Sequence, residues 1–188
     1  MTRDEFWDII EEAKRSARRT SNLPSWLEER LSQSPEQEIL DFGCHFQEYR
    51  RTAYDARLWL AAVAILGGCG DDSFDYFRGW LVAQGRAVFE AALTDPDSLA
   101  DLETFDGDEG YPRLEPMLSV DSSAYCRRIG GDRYDFEALQ RYEALRPRRT
   151  PPVLKNPELL HTADHDVARL FPKLAARFPG GMRVAKLK

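Results

Sequence analysis

Several kinds of sequence feature are scarce in this 188-residue chain, and each scarcity excludes a class of protein. Its three cysteines are too few and too widely spaced for a disulfide framework, which favours a reducing compartment. The longest uncharged apolar run, 58–69, is too short to cross a bilayer, so no membrane association is predicted. The first ten residues lack a basic stretch followed by an apolar one. The sequence therefore predicts no signal peptide and a cytoplasmic location.

Motifs for catalysis and nucleotide binding are also missing. The chain has no P-loop, no dinucleotide fingerprint and no GxSxG. His161 and His165 have the spacing of zincin ligands but lack the glutamate that follows the first histidine, and no CxxC pair supports them. The sequence therefore predicts no cofactor and no zinc site, and it leaves open whether the protein is an enzyme.

Helical periodicity is what the chain has in abundance. Thr2 and Glu5 have the spacing of a capping box, and the apolar residues after them recur every three to four positions. No run alternates apolar and polar residues for long enough to predict a strand. We therefore predict an all-α fold, a compact multi-helix domain over 1–126 around a central buried helix at about 72–93. An irregular and partly helical C-terminal extension follows at 127–188.

Charge divides the chain into two unequal parts. Residues 1–126 hold 12 Lys and Arg against 25 Asp and Glu, whereas residues 127–188 hold 14 against 7. The extension is therefore basic, and it also contains a proline-rich stretch, RPRRTPPVLKN. We expect it to pack on the acidic domain of the same molecule. Nucleic-acid binding through the basic tail is the alternative, because clustered Lys and Arg neutralise phosphates.

The stretch 67–93 concentrates the unusual features of the sequence. A Gly-Cys-Gly turn leads into a helix whose first residues include Asp71 and Asp72, which we expect to cap it and to complement its dipole. Asp75 and Arg78 are three residues apart and predict an ion pair on one helix face. The helix is so apolar that this arginine needs a fixed partner, and such a pair beside a glycine loop could bind a carboxylate or phosphate.

Other residues of the same stretch complete the predicted site. Cys69 precedes a helix N-terminus, a position that can activate a thiol, although a buried structural cysteine is the alternative interpretation. Gly79 and Gly85 interrupt the helix pattern and predict the close approach of another helix. Gln84 could line a pocket. The candidate ligand-binding residues are Cys69, Asp71, Asp72, Asp75, Arg78 and Gln84.

The stretch also resembles a known family, the bacterial domain of unknown function 4240. The likeness is carried by GGCGDDSFDYFRGWLVAQGRAVFEAAL, by the Phe6-Trp7 pair and by a helix at Glu38–Tyr54, and it covers about 3–125. Gly70 stands where the family pattern has serine. The family also occurs beside WGR-type modules, which implies nucleic-acid or regulatory contexts, but it brings no assigned biochemistry and this chain contains no such module.

Three functional hypotheses follow. The first is a helical module that binds a protein partner, a second copy of the chain or a small anionic ligand at the Gly67–Arg78 loop-helix junction. The second is a metal-assisted hydrolase that uses Asp71, Asp72 and Asp75 as oxygen ligands. The third is a nucleic-acid-associated protein that uses its basic tail.

Overall fold

In the computed structural model, which describes residues 1–103, 111–147, 150–161 and 164–181, the chain forms α-helices joined by short 3₁₀ turns. No strand occurs among these residues, and a single parallel bridge joins Asp55 to Lys155. The all-α prediction is confirmed. The helices are α1 (Arg3–Ala17), α2 (Leu23–Ser32), α3 (Glu36–Thr52), α4 (Ala56–Leu66), α5 (Asp71–Ala83), α6 (Arg86–Thr94), α7 (Val120–Arg128), α8 (Phe136–Leu145), α9 (Asp164–Leu170) and α10 (Pro172–Arg177).

Bulky apolar side chains from α1, α3 and α5 meet in one core. The capping box predicted for α1 is present, since the Thr2 hydroxyl accepts from the Glu5 N–H and the Glu5 carboxylate accepts from the Thr2 N–H. The apolar stripe of α1 meets α3 through Phe6, whose ring centroid lies 4.9 Å from that of Phe42. The fully buried core residues of these helices include Phe6, Ile10, Phe42, Phe46, Phe77 and Trp80.

The prediction of a single helix at 72–93 is wrong, because the helix is interrupted at Gly85 and forms α5 and α6. Gly85 has φ +88°, a left-handed conformation that residues with a Cβ avoid. Its Cα also faces α1, where an added Cβ would overlap the Glu11 carboxylate and come within 2.7 Å of the Lys14 Nζ. In the sequence, a glycine that ends a helix cannot be distinguished from a glycine that lets another helix pack closely.

Gly79 has the role that the sequence predicted for it. A Cβ at this position would lie 3.2 Å from the Leu118 side chain and 3.4 Å from Met117, so it allows close packing of the 3₁₀ turn Glu115–Ser119 on α5. The same turn is continued by α7, which packs on α2 and α3. Gly79 therefore brings the α7 region against the central helix.

Described parts of the segment after residue 127 are attached to the preceding helices. Tyr142 of α8 donates to Asp121 of α7 over 2.6 Å. The backbone N–H groups of Lys173 and Leu174 donate to the Asp97 carboxylate at 3.1 and 2.9 Å, which satisfies donors at the start of α10. The predicted boundary at residue 126 stays a prediction. The last residues, MRVAKLK at 182–188, for which the sequence predicts a short strand or disorder, lie outside the described residues.

The apolar stripe of helix α8 is only partly buried. Tyr142 is fully buried, whereas Phe136 and Leu145 are 70% and 47% exposed. The helix packs mainly on α7, through Ala138 and Tyr142, and within the described part of the chain Phe136 and Leu145 stay exposed. Among the described helices, none is long and apolar enough to span a membrane.

Candidate functional site

The loop at 67–70 is held in place by the end of α4. Gly67 ends that helix with φ +72°, the left-handed conformation typical of a glycine C-cap. The indole N–H of Trp59 donates to the Cys69 carbonyl over 2.8 Å, which fixes the loop against α4. The predicted Gly-Cys-Gly turn is therefore a rigid connection that places the first turn of α5.

The capping role predicted for Asp71 or Asp72 is wrong. Gly70 is the N-cap of α5, and no side chain accepts a hydrogen bond there. Both aspartates lie in the first helical turn and are exposed, so they complement the positive end of the helix dipole without capping it. The serine that the family resemblance leads us to expect at residue 70 would stand at this cap position, where glycine has no side chain to accept a hydrogen bond.

One turn further along α5, a single carboxylate joins two arginines. The Asp75 carboxylate pairs with the Arg78 guanidinium through one oxygen, and its other oxygen lies 3.1 Å from Nη2 of Arg50, which comes from α3. Arg78 also donates through Nη1 to the Arg50 carbonyl over 2.9 Å. The predicted ion pair of α5 is therefore part of a three-residue cluster, here called the Arg50–Asp75–Arg78 cluster.

Aromatic rings pack against both guanidinium groups of the cluster. The Arg78 Cζ lies 4.7 Å from the centroid of the Tyr54 ring and 5.1 Å from that of Phe74, and the Arg50 Cζ lies 5.7 Å from that of Phe46. Rings at these distances attract a cation while they exclude water from it. Burial, together with the neighbouring charge of Arg50, lowers the pKa of Arg78 to about 10. Both arginines remain cationic at neutral pH.

The cluster carries more positive than negative charge. Its Arg78 side chain is 7% exposed and its Arg50 side chain 13%, whereas the Asp75 side chain is 40% exposed. The Nε atoms of both arginines are buried and have no hydrogen-bond partner among the described residues. Two sheltered cations therefore share one carboxylate, which solvent reaches.

The remaining predicted site residues do not join this cluster. Burial raises the pKa of the Cys69 thiol to about 12, which opposes a nucleophilic role at neutral pH. Gln84 lies at the far end of α5, about 13 Å along the helix from Asp75. Its backbone carbonyl accepts from Lys14 over 2.7 Å, and its side-chain amide donates to the Trp80 carbonyl. Whether any of these residues binds a ligand stays a prediction.

The predicted aspartate cluster does not assemble a metal site. Among the described residues, no group of three or more His, Cys, Asp or Glu side chains is arranged to hold a metal ion. Asp75 points to two arginines, while Asp71 and Asp72 are exposed on the preceding turn. Because guanidinium groups already occupy both oxygens of Asp75, this carboxylate is poorly placed to bind a further cation.

Sequence reasoning missed Arg50 and Tyr54, which complete the cluster from α3 and the turn after it. Both lie in the segment Glu38–Tyr54, for which the sequence predicts a helix and no site residue. The sequence gives little indication that they belong to a site, since an arginine near a helix C-terminus is usually explained by the helix dipole. Three surface clefts were also outside the prediction; Gly67 lines one of them, but none is lined by Cys69, Asp71, Asp72, Asp75, Arg78 or Gln84.

A second buried acid interacts electrostatically with Arg50. Asp121 of α7 is 3% exposed and accepts from the Tyr142 hydroxyl. Gly43 of α3 makes room for them, because a Cβ there would overlap the Asp121 carboxylate and meet the Tyr142 oxygen. Burial raises the pKa of Asp121, although the hydrogen bond from Tyr142 and the charge of Arg146 oppose this rise. This pair is sealed between three helices.

Comparison with known proteins leads to one family. Searches of curated proteins and of solved structures gave no match. The family described as "Protein of unknown function (DUF4240)" matches residues 1–127, which contain the loop at 67–70 and the whole Arg50–Asp75–Arg78 cluster. Since this match spans about two thirds of the chain, the protein belongs to the DUF4240 family, as the sequence block around α5 indicated.

Proposed function

We propose that this protein is a binding module for a small anionic ligand with a carboxylate or phosphate group, and that the ligand binds at the Arg50–Asp75–Arg78 cluster. The observation that carries the proposal is the unequal exposure within the cluster. Two sheltered guanidinium groups share one carboxylate, and that carboxylate is 40% exposed. An anion from solution can therefore take the place of Asp75.

The chemistry of the cluster suits an oxyanion. Arginine presents several N–H donors in a planar fork that matches the oxygens of carboxylate and phosphate groups. The stacked rings of Tyr54 and Phe74 hold the Arg78 fork in one orientation, which reduces the entropy lost on binding. Asp75 shows where the incoming oxygens would lie, since its own oxygens already contact both arginines.

The two alternative functions have less support. The metal-assisted hydrolase lacks a clustered ligand set among the described residues. For the nucleic-acid hypothesis, Lys173 pairs with Asp101 at 2.8 Å and Arg177 donates to the Ala100 carbonyl, so these basic side chains contact their own chain. A protein partner or a second copy that supplies the anionic group stays a prediction, as does a cytoplasmic location.

Isothermal titration calorimetry tests the proposal directly. Inorganic phosphate and malonate are titrated into the wild-type protein, Arg50→Gln and Arg141→Gln. Arg141 is the matched control, since it is an exposed arginine on α8 whose nearest carboxylate, Glu137, is 3.9 Å away. We expect saturable binding of at least one anion, weakened about tenfold or more in Arg50→Gln because a charge-assisted contact worth about 1.5–3 kcal/mol is lost.

Circular dichroism of each variant establishes that it is folded at the temperature of the titration. If Arg50→Gln is poorly folded, Arg50→Lys replaces it, because lysine keeps the charge but loses the fork. The proposal is wrong if the wild-type protein binds neither anion, or if the folded Arg50 variant binds as tightly as Arg141→Gln does.

A further inference from the structure

A segment of the C-terminal part crosses the turn between α3 and α4. In residues 150–156, here called the strap, the Lys155 N–H donates to the Tyr54 carbonyl over 3.1 Å. The Lys155 carbonyl in turn accepts from the Ala56 N–H over 2.9 Å, which makes the single parallel bridge of the described chain. The strap is therefore bound to the backbone on both sides of Asp55.

The end of the strap is clamped by a side-chain contact. The Asn156 amide nitrogen lies 3.1 and 3.0 Å from the two oxygens of the Asp55 carboxylate. Asp55 is buried and also caps α4 by accepting from the Arg57 N–H over 2.8 Å. Asn156 has φ +53°, a left-handed conformation in which asparagine is enriched. One aspartate thus ties the strap to the start of α4.

Tyr54 projects from the clamped turn onto the anion cluster. Its ring centroid lies 4.7 Å from the Arg78 Cζ, and its backbone carbonyl is the group that the strap holds. A shift of this turn would move the ring, and the ring is one of two that pack on the Arg78 guanidinium. The contacts of the described residues therefore link the strap to Arg78 through Tyr54.

From these contacts, and resting on the proposed function, we infer that Asn156 is a positioning residue of the anion site. By clamping Asp55 it holds Tyr54 against Arg78, so a segment outside the family-matched residues 1–127 sets the affinity of a site inside them. Release of the clamp exposes the Arg78 guanidinium to water. Its hydrogen bonds to an anion then weaken, because they form in a medium of higher dielectric constant and with a less ordered donor.

The test uses full-length variants and two readouts. Asn156→Gly removes the amide donor while it keeps the left-handed backbone accessible. The exchange Asp55→Asn with Asn156→Asp restores a donor and an acceptor in opposite places, and an asparagine at 55 can still cap α4. Lys173→Ala is the control, because it removes an ion pair of another C-terminal segment. The readouts are the phosphate affinity and the ring-current shift of the Arg78 Nε–H signal, assigned with Arg78→Lys.

We expect Asn156→Gly to reduce the Arg78 ring-current shift and to weaken phosphate binding about three- to tenfold, and the exchange to restore both. Lys173→Ala should change neither. An unchanged Arg78 signal in folded Asn156→Gly overturns the inference, whatever the phosphate titration gives. An unchanged affinity in a variant whose signal does shift also overturns it. If the wild-type protein does not bind phosphate, the proposed function is wrong, and so is the expected effect of Asn156→Gly on affinity. In that case the Arg78 signal still decides whether the clamp positions Tyr54.

Discussion

Asp75 and Asp121 both interact with Arg50, yet their surroundings differ. Asp121 is 3% exposed and is paired with a neutral hydroxyl, that of Tyr142. The Asp75 side chain is 40% exposed and is paired with two cations. A sealed acid with a neutral partner is expected to hold helices together, whereas an accessible acid between cations can be exchanged for an anion from solution. Of the two acids that interact with Arg50, Asp121 therefore makes a structural contact and Asp75 marks the candidate binding site.

The largest expected effect is on stability at the sealed acid. Asp121→Ala leaves the Tyr142 hydroxyl buried without its acceptor and opens a cavity between α3, α7 and α8. We expect a loss of about 2–3 kcal/mol in the free energy of unfolding, measured by urea denaturation. Asp75→Ala should lose less, because water can enter the exposed position and form hydrogen bonds with the two guanidinium groups. Equal losses would remove the distinction between the two acids.

The next largest expected effect is a change of stability with pH that results from the ionisation of Asp121. Because its pKa is raised in the folded chain, its contribution to stability is fully present below the unfolded value of about 3.9 and is lost as the pH rises through the folded pKa. We expect the stability of the wild-type protein relative to Asp121→Asn to fall as the pH increases from 4 to 8. The groups that face Asp121 are Tyr142, Arg146 and Arg50.

Denaturation series of both proteins at several pH values check this expectation. Asparagine keeps an acceptor for the Tyr142 hydroxyl, so the variant retains the hydrogen bond while it cannot ionise. A relative stability that stays constant or rises with pH would show that Arg50 and Arg146 compensate the burial of this acid.

The contrast also shows what the sequence could predict. The Asp75–Arg78 ion pair could be predicted because the two residues lie three positions apart on one helix. The contacts of Arg50 and Tyr54 with Arg78 could not be predicted, since they depend on how α3 crosses α5. Asp121 and Tyr142 were absent from the prediction for the same reason. Capping was predicted correctly at Thr2 but wrongly at the start of α5, where Gly70 is the cap, because an aspartate before a helix and one in its first turn look alike in the sequence.

The smallest expected effect is at the start of α5. Gly70→Ser would introduce a side chain at the N-cap, where an added Cβ has open space and the backbone is extended. We expect a gain of a few tenths of a kcal/mol in the free energy of unfolding. Phosphate affinity should not change, because the cap lies a full turn before Asp75. A large change in affinity would extend the site to the loop at 67–70.

The most direct test of the account is whether Asp75 competes with the ligand. Isothermal titration calorimetry compares phosphate binding by the wild-type protein, Asp75→Asn and Glu90→Gln, which neutralises an exposed acid paired with Arg86 at 2.7 Å. The account predicts that Asp75→Asn binds phosphate about five- to tenfold more tightly, since the competing charge is gone, and that Glu90→Gln resembles the wild type. Weaker or unchanged binding by a folded Asp75→Asn would contradict it.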